Sequence, residues 1–558
     1  MSTEHRVTAG PPSTAAARPT ASAQESSSPW AATSGLLRLD LRLDRIRILV
    51  WTLAVGLGVA GSMATFETTY TTPESLQARA GLMANPATVM MTGPAFGLEN
   101  YTFGAMVANE LSLYLLLATA IMSILLVVRH TRAEEESGRM EMLRALPVGR
   151  FAPATAAVLT VAVANAVVAA AIIAALAGSG LETASSVALG VGAALTGLVF
   201  AGVAAVAAQL TEHARSATGT AMAVLAAAFL VRGIGDVINN QGSWLSWFSP
   251  FAWAQQTRLY VDLRWWPLAV SAVATVVLLG LAVYLAQRRD LGAGLHRPQP
   301  GPAAAPRTLL SPAGLAARLL GGSFAAWAVG AFLFAAAFGT LANSLEDAFA
   351  DIPELAGLIA VDLEDMTTSF ASALLSFLMI APLVFSVSAV LRLRGEEDAG
   401  RVEQLLVTGS SRPGLLARWL AVVAVQTVLI TAAVGLGTGL GVWAGTGDAG
   451  WIGELTIAAF AYLPAIALAA AIAVALFGLA PQIAALAWAP VVWAAVVLYL
   501  GALLNLPEWA ADLSPLTHVA LVPGSDLEAA PLVLMGLFAA VLTVAGFVGF
   551  RRRDVGSA

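Results

Sequence analysis

Apolar residues in this 558-residue chain neither alternate nor recur at every third or fourth position. They run together in blocks of about twenty, split by short charged or Gly/Pro/Asn-rich segments. About twenty residues of helix cross a hydrocarbon layer about 30 Å thick. The pattern predicts twelve transmembrane helices. In the first half they centre on residues 46–66, 104–128, 152–177, 185–208, 217–236 and 266–287. In the second half they centre on 323–343, 368–391, 414–441, 454–478, 481–504 and 531–550. The fold class is therefore all-α, a polytopic membrane protein.

Arginine placement orients these spans, because cytoplasmic loops hold the positive charge. With the N-terminus inside, 25 arginines fall in cytoplasmic segments and four (Arg79, Arg232, Arg258 and Arg264) on the other side. The loop after the seventh span carries Glu346, Asp347, Asp351, Glu354, Asp362, Glu364 and Asp365 without an arginine, and falls outside. Both termini are expected in the cytoplasm.

One segment breaks the apolar pattern. The tract RAEEESGRMEMLRALPVGR, residues 132–150, is far too charged to be buried in a bilayer. A shift of 262 residues lays 134–150 over 396–412 with seven of seventeen positions identical. These are Glu134/Glu396, Glu135/Glu397, Gly138/Gly400, Arg139/Arg401, Glu141/Glu403, Leu143/Leu405 and Arg150/Arg412. Both tracts follow the second span of their half, and Ser249-Pro250 is echoed by Ser514-Pro515. The chain thus reads as two fused six-helix repeats in parallel orientation. Its expected divisions are a tail at 1–35, a first half at 36–287, a Pro/Gly-rich cytoplasmic linker at 288–312, a second half at 313–553 and a short end at 554–558.

Each tract reads as a short amphipathic helix. Acids at 134–136 suit a helix N-terminus, Glu135 and Arg139 are spaced as i,i+4 partners, and Pro147 with Gly149 ends it. Met140, Leu143 and Leu146 form an apolar edge, partly repeated by Val402 and Leu405. A solvated loop that only fixes topology would need its arginines alone, since acids contribute little to orientation. Repetition of the acids favours docking.

Two absences narrow the chemistry. All 29 basic residues are arginine, so no Walker A lysine or Schiff-base amine exists, and there is no cysteine for thiol chemistry. The five histidines sit in tails, loops or span ends, which leaves no basis for a metal site or a proton relay.

The tracts E-E-x-x-G-R-x-E-x-L, with the Ser-Pro pairs after the fifth and eleventh spans, resemble permeases of bacterial ABC exporters with the type-2 membrane-domain fold, also termed type V exporter-like. The likeness is strongest to fused twelve-span actinobacterial permeases for tetronasin or other polyketide antibiotics and for multiple drugs. The resemblance implies a plasma-membrane exporter of hydrophobic small molecules, coupled to two copies of a separate ATPase that binds ATP and Mg, with no cofactor in this chain and no nucleic acid partner. It implies ATPase coupling through Glu134, Glu135, Glu136, Gly138, Arg139 and Glu141, and through Glu396, Glu397, Asp398, Gly400, Arg401 and Glu403. It also implies that LLRLDLRLDRIR, residues 36–47, is an in-plane connecting helix, with Arg38, Arg42 and Arg45 facing headgroups or the ATPase.

In such folds the cavity lies between the halves. Candidate lining residues are Asn109, Glu110 and Tyr114, then Ser372, Ser376 and Phe377, then Trp488, Trp493 and Tyr499. Glu110 lies inside a span and needs a partner, for which Arg232 is the candidate. The aromatic segment 244–266 reads as an interfacial or re-entrant element. A proton-coupled drug antiporter is the main rival, but it needs several titratable groups within the membrane and Glu110 is the single clear one. A polytopic membrane enzyme would need paired carboxylates or a Ser/His constellation, and the sequence offers neither.

Overall fold

The computed structural model describes residues 28–83, 86–239, 241–289, 292–295, 304–340, 342, 366–500 and 507–554. Among these, twelve helices are long and apolar enough to span a bilayer, and we number them α1–α12. They are α1 Thr33–Thr69, α2 Phe103–Glu136, α3 Ala152–Gly178, α4 Thr183–Leu210, α5 Ala214–Ile238 and α6 Trp266–Ala286. The second set is α7 Pro312–Gly339, α8 Thr367–Asp398, α9 Arg412–Thr446, α10 Gly450–Leu479, α11 Pro481–Leu498 and α12 Ala529–Arg552. Every predicted span has its helix. The acidic loop after the seventh span falls outside the described residues.

Helix starts follow local chemistry. Thr102 opens α2 by accepting from the Ala105 N–H at 3.2 Å. Ser311 and Ser411 do the same for α7 and α9, each just ahead of a proline whose missing N–H costs nothing there. Both α2 and α8 outrun their apolar windows, ending at Glu136 and Asp398, because charged residues extend a helix freely once it leaves the hydrocarbon.

One expectation fails at α1. Residues 36–47 do not form a separate in-plane helix; they are the first turns of a single 37-residue helix. The cause lies at Asp44, fully buried against the end of α2. Its carboxylate pairs with Arg47 at 2.7 Å, lies 3.2 Å from Arg129, and accepts a hydrogen bond from the His130 ring. Arg38, Arg42 and Arg45 remain exposed on the opposite side.

Two apolar cores divide the chain, one drawn from Ile48 to Ala282 and the other from Ala316 to Phe550. In each, the second spanning helix is among the most buried. Where lipid replaces water the hydrophobic effect cannot drive helices together, and small residues allow close packing instead. A Cβ at Gly441 of α9 would lie 2.2 Å from the Ala336 carbonyl of α7, and one at Gly478 of α10 would lie 2.0 Å from the Gly546 carbonyl of α12. Gly441→Leu is therefore expected to lower the melting temperature of the detergent-solubilised protein through an overpacking cost of about 1–3 kcal/mol. Gly453→Leu, where a Cβ meets nothing within 4 Å, should leave it unchanged.

Candidate functional site

The repeated tracts lie at the Arg-rich ends of α2 and α8. Neither is the one short helix that the sequence suggests. The acids belong to the spanning helix itself, with α2 passing through a wide turn at Arg129–Ala133 before ending at Glu136. The chain then breaks at Gly138 and Gly400, whose φ of 74° and 70° are disfavoured for side-chain-bearing residues. Short helices Arg139–Arg144 and Arg401–Val407 follow.

The break re-pairs the charges. Arg139 reaches back to Glu134 at 3.2 Å and Arg401 to Glu396 at 2.5 Å, so the expected Glu135–Arg139 pair does not form. Glu135 instead receives Arg132 at 2.7 Å and the two terminal guanidinium nitrogens of Arg289, just past α6, at 2.7 and 2.8 Å. Arg132 also donates to the Glu212 and Gly292 carbonyls, and Arg289 to the Gln209 side chain. The second half repeats the arrangement. Glu397 is fully buried and takes a two-pronged hydrogen bond from Arg553 at the end of α12, with Arg394 at 3.6 Å. Arg553 is wedged over the rings of Phe477 and Phe550. The second acid of each tract therefore locks the end of one helix to the end of the last helix in its half.

The third acids differ. Glu136 accepts from the Ala214 N–H at the start of α5, whereas Asp398 pairs with Arg394 at 2.8 Å. Glu141 and Glu403 are exposed and form no ion pair among the described residues. Beside them Met142 and Val407 are 67% and 88% exposed, while Met140 and Val402 are buried. Each short helix is thus seated by one apolar residue and presents an acid and an apolar side chain to the surroundings. The first tract has an extra support: the Gly149 and Phe151 N–H groups donate to the Ala31 and Pro29 carbonyls, and Trp30 packs on Phe151.

The expected path residues occupy separate halves. Asn109 holds the loop before α2, its side-chain amide donating to the Phe96 carbonyl at 3.0 Å. Glu110 pairs with Arg79 at 2.7 Å, not with Arg232. Arg79 comes from helix Pro73–Met83, which folds back over α2. Burial opposes its charge, but the hydrogen bond and charge of Glu110 outweigh that and hold the guanidinium above its usual range. Arg232 has its partner one turn along its own helix, Asp236 at 3.0 Å, and donates to the Val89 and Met90 carbonyls of helix Pro86–Thr92. Tyr114 is half-exposed. Ser372 is buried and accepts from the Gly524 N–H, and Ser376 is also buried. Phe377 lines an apolar cavity of about 380 Å³ with Trp327 and Phe334. Trp488 is partly buried, and Trp493 donates to the Ala510 carbonyl at 2.9 Å. The side chain of Tyr499 lies outside the described residues. The aromatic segment 244–266 contains the helix Pro250–Gln255, whose Phe251 and Ala252 are fully buried.

Sequence reasoning missed Arg289 and Arg553 because the tracts repeat at 262 residues whereas these partners repeat at 264. It also missed Asp44 with His130, which has no counterpart at Arg392 in the second half, and Asp236. An acid one turn from a buried arginine was the available signal for the last.

Twelve spanning helices around two cores, with matched charge locks on one face, define a polytopic membrane protein of the permease class. Residues 34–285 and 309–551 match the family described as multidrug efflux system permease Rv1217c, C-terminal domain, and the chain belongs to that family. It is 38% identical over 532 residues to the multidrug efflux system permease protein Rv1217c of Mycobacterium tuberculosis (strain ATCC 25618 / H37Rv), covering 94% of this chain and 95% of that protein.

Proposed function

We propose that this chain is the transmembrane permease of an ATP-driven ABC exporter that moves amphipathic drugs or antibiotics out of a bacterial cell. In this reading the Arg-rich face and both termini lie in the cytoplasm, and the halves 36–287 and 313–553 move about the linker 288–312. Two copies of a separate ATPase, which bind ATP and Mg, dock on helices Arg139–Arg144 and Arg401–Val407. The observation that carries it is the duplicated construction: the same acid, glycine break and short exposed helix stand at the same place in each half. A loop that only fixed topology would have no reason to repeat it. Without a lysine the chain cannot build a Walker A site, so hydrolysis must occur in a partner.

The test is the double variant Glu141→Arg/Glu403→Arg. Both groups are exposed and form no ion pair among the described residues, so insertion and melting temperature should be unchanged. Copurification of the ATPase and ATP-dependent efflux should fall about tenfold or more, since an arginine where the partner is built to meet an acid sets like charges against each other. Efflux that survives in the double variant and in ATP-depleted cells, yet collapses with a protonophore, would instead establish the antiporter.

A further inference from the structure

Between the start of α10 and the loop leading into α12, on the face opposite the tracts, lies a cavity of about 610 Å³. Its wall is Ile457, Phe460, Pro464 and Leu527, and its polar edge carries the carboxylates of Glu454 and Asp526. The charge around it is one-sided. From residue 419 to residue 550 the chain has no arginine or lysine, while it has six acids, Asp448, Glu454, Glu508, Asp512, Asp526 and Glu528. Every basic side chain of the second half except His518 lies at the other end of the bundle, among the tracts and helix ends already described. Glu454 and Asp526 are exposed and form no ion pair among the described residues.

We infer that this cavity is a binding site for a small amphipathic cation, whose apolar body fills the wall and whose positive charge sits at Glu454 and Asp526. A neutral or anionic molecule of the same shape gains the apolar contact but meets two uncompensated carboxylates. The volume is within the range of drug-sized sites, and an aromatic ring in the wall, that of Phe460, also favours a cation. The inference rests on the efflux reading for its biological sense, since on that reading the cavity opens outward and holds substrate on the exit side. Binding itself needs no ATPase.

The probes are tetraphenylphosphonium and tetraphenylborate, a cation and an anion of nearly equal size, titrated against the full chain in nanodiscs of phosphatidylglycerol. Saturable binding of the cation is expected, about tenfold weaker in Glu454→Gln/Asp526→Asn, with no saturable binding of the anion. The neutral substitutions lie on the surface, and an unchanged melting temperature verifies the fold. Equal affinity in the double variant, or equal binding of the anion, overturns the inference. Nanodiscs containing phosphatidylethanolamine separate the other source of a positive headgroup: loss of cation binding there would assign the site to lipid and overturn it as well. The Glu141→Arg/Glu403→Arg variant should bind the cation normally. If it retains both binding and efflux, docking of an ATPase through Glu141 and Glu403 fails and the cation site stands.

Discussion

Glu397→Gln is expected to destabilise the protein by about 3 kcal/mol, because it leaves Arg553 wedged between Phe477 and Phe550 without its two-pronged partner. Glu397 is fully buried, and Arg553 only 16% exposed, so water makes up little of the loss. The same substitution at Glu135 should cost less: Arg132 keeps its bonds to the Glu212 and Gly292 carbonyls, and Arg289 keeps Gln209. Thermal melting of the solubilised variants checks the order. Replacing both partners, as in Glu397→Leu/Arg553→Met, should recover most of the loss, since removing a buried pair entirely is far cheaper than breaking it. Charge reversal at Glu135 and Glu397 therefore reads the integrity of the helix ends before it reads any partner, and Glu141 with Glu403 are the better probes of docking.

Arg232→Met is expected to have the larger effect, about 3–5 kcal/mol, because Arg232 and Asp236 are both fully buried. The variant strands an acid and also frees the Val89 and Met90 carbonyls, which anchor helix Pro86–Thr92. Helix Pro86–Thr92 and the loop after it should loosen with it, visible as faster amide exchange over residues 86–101. Adding Asp236→Leu removes the stranded charge, so the double variant should melt above Arg232→Met. Equal melting temperatures for the two would show that the pair contributes nothing as a pair.

The twelve helices were legible in the sequence because hydropathy at bilayer length is a strong and local signal. The duplication was legible for a similar reason, as Glu134 to Arg150 and their copies preserve spacing within one short stretch. What the tracts do with their charges was not. Arg289 meets Glu135 from 154 residues away, and Arg553 meets Glu397 from 156, so neither pair leaves a mark on any window of sequence. The i,i+4 rule misled at Glu135 because it presumes an unbroken helix, and Gly138 breaks it. Glu110 was correctly singled out as an acid that needs a cation, but its partner came from helix Pro73–Met83, too short and polar to register as a span. Residues 36–47 show a different limit. Their Leu/Arg alternation suits a helix lying on the membrane as well as one standing out of it, and only the docking of Asp44 on His130 and Arg129 decides between them.

That decision has a mechanical consequence. A 37-residue helix is about 55 Å long, well beyond the thickness of the hydrocarbon, and α1 is pinned to α2 near its Arg-rich end through Asp44. Any tilt imposed where the first tract sits is transmitted along α1 as along a rigid lever. A rotation of about 5° about its midpoint would carry the two ends about 5 Å relative to one another, with no joint in between to absorb it. A hinged in-plane helix would dissipate that stroke, and none leads into α1 among the described residues.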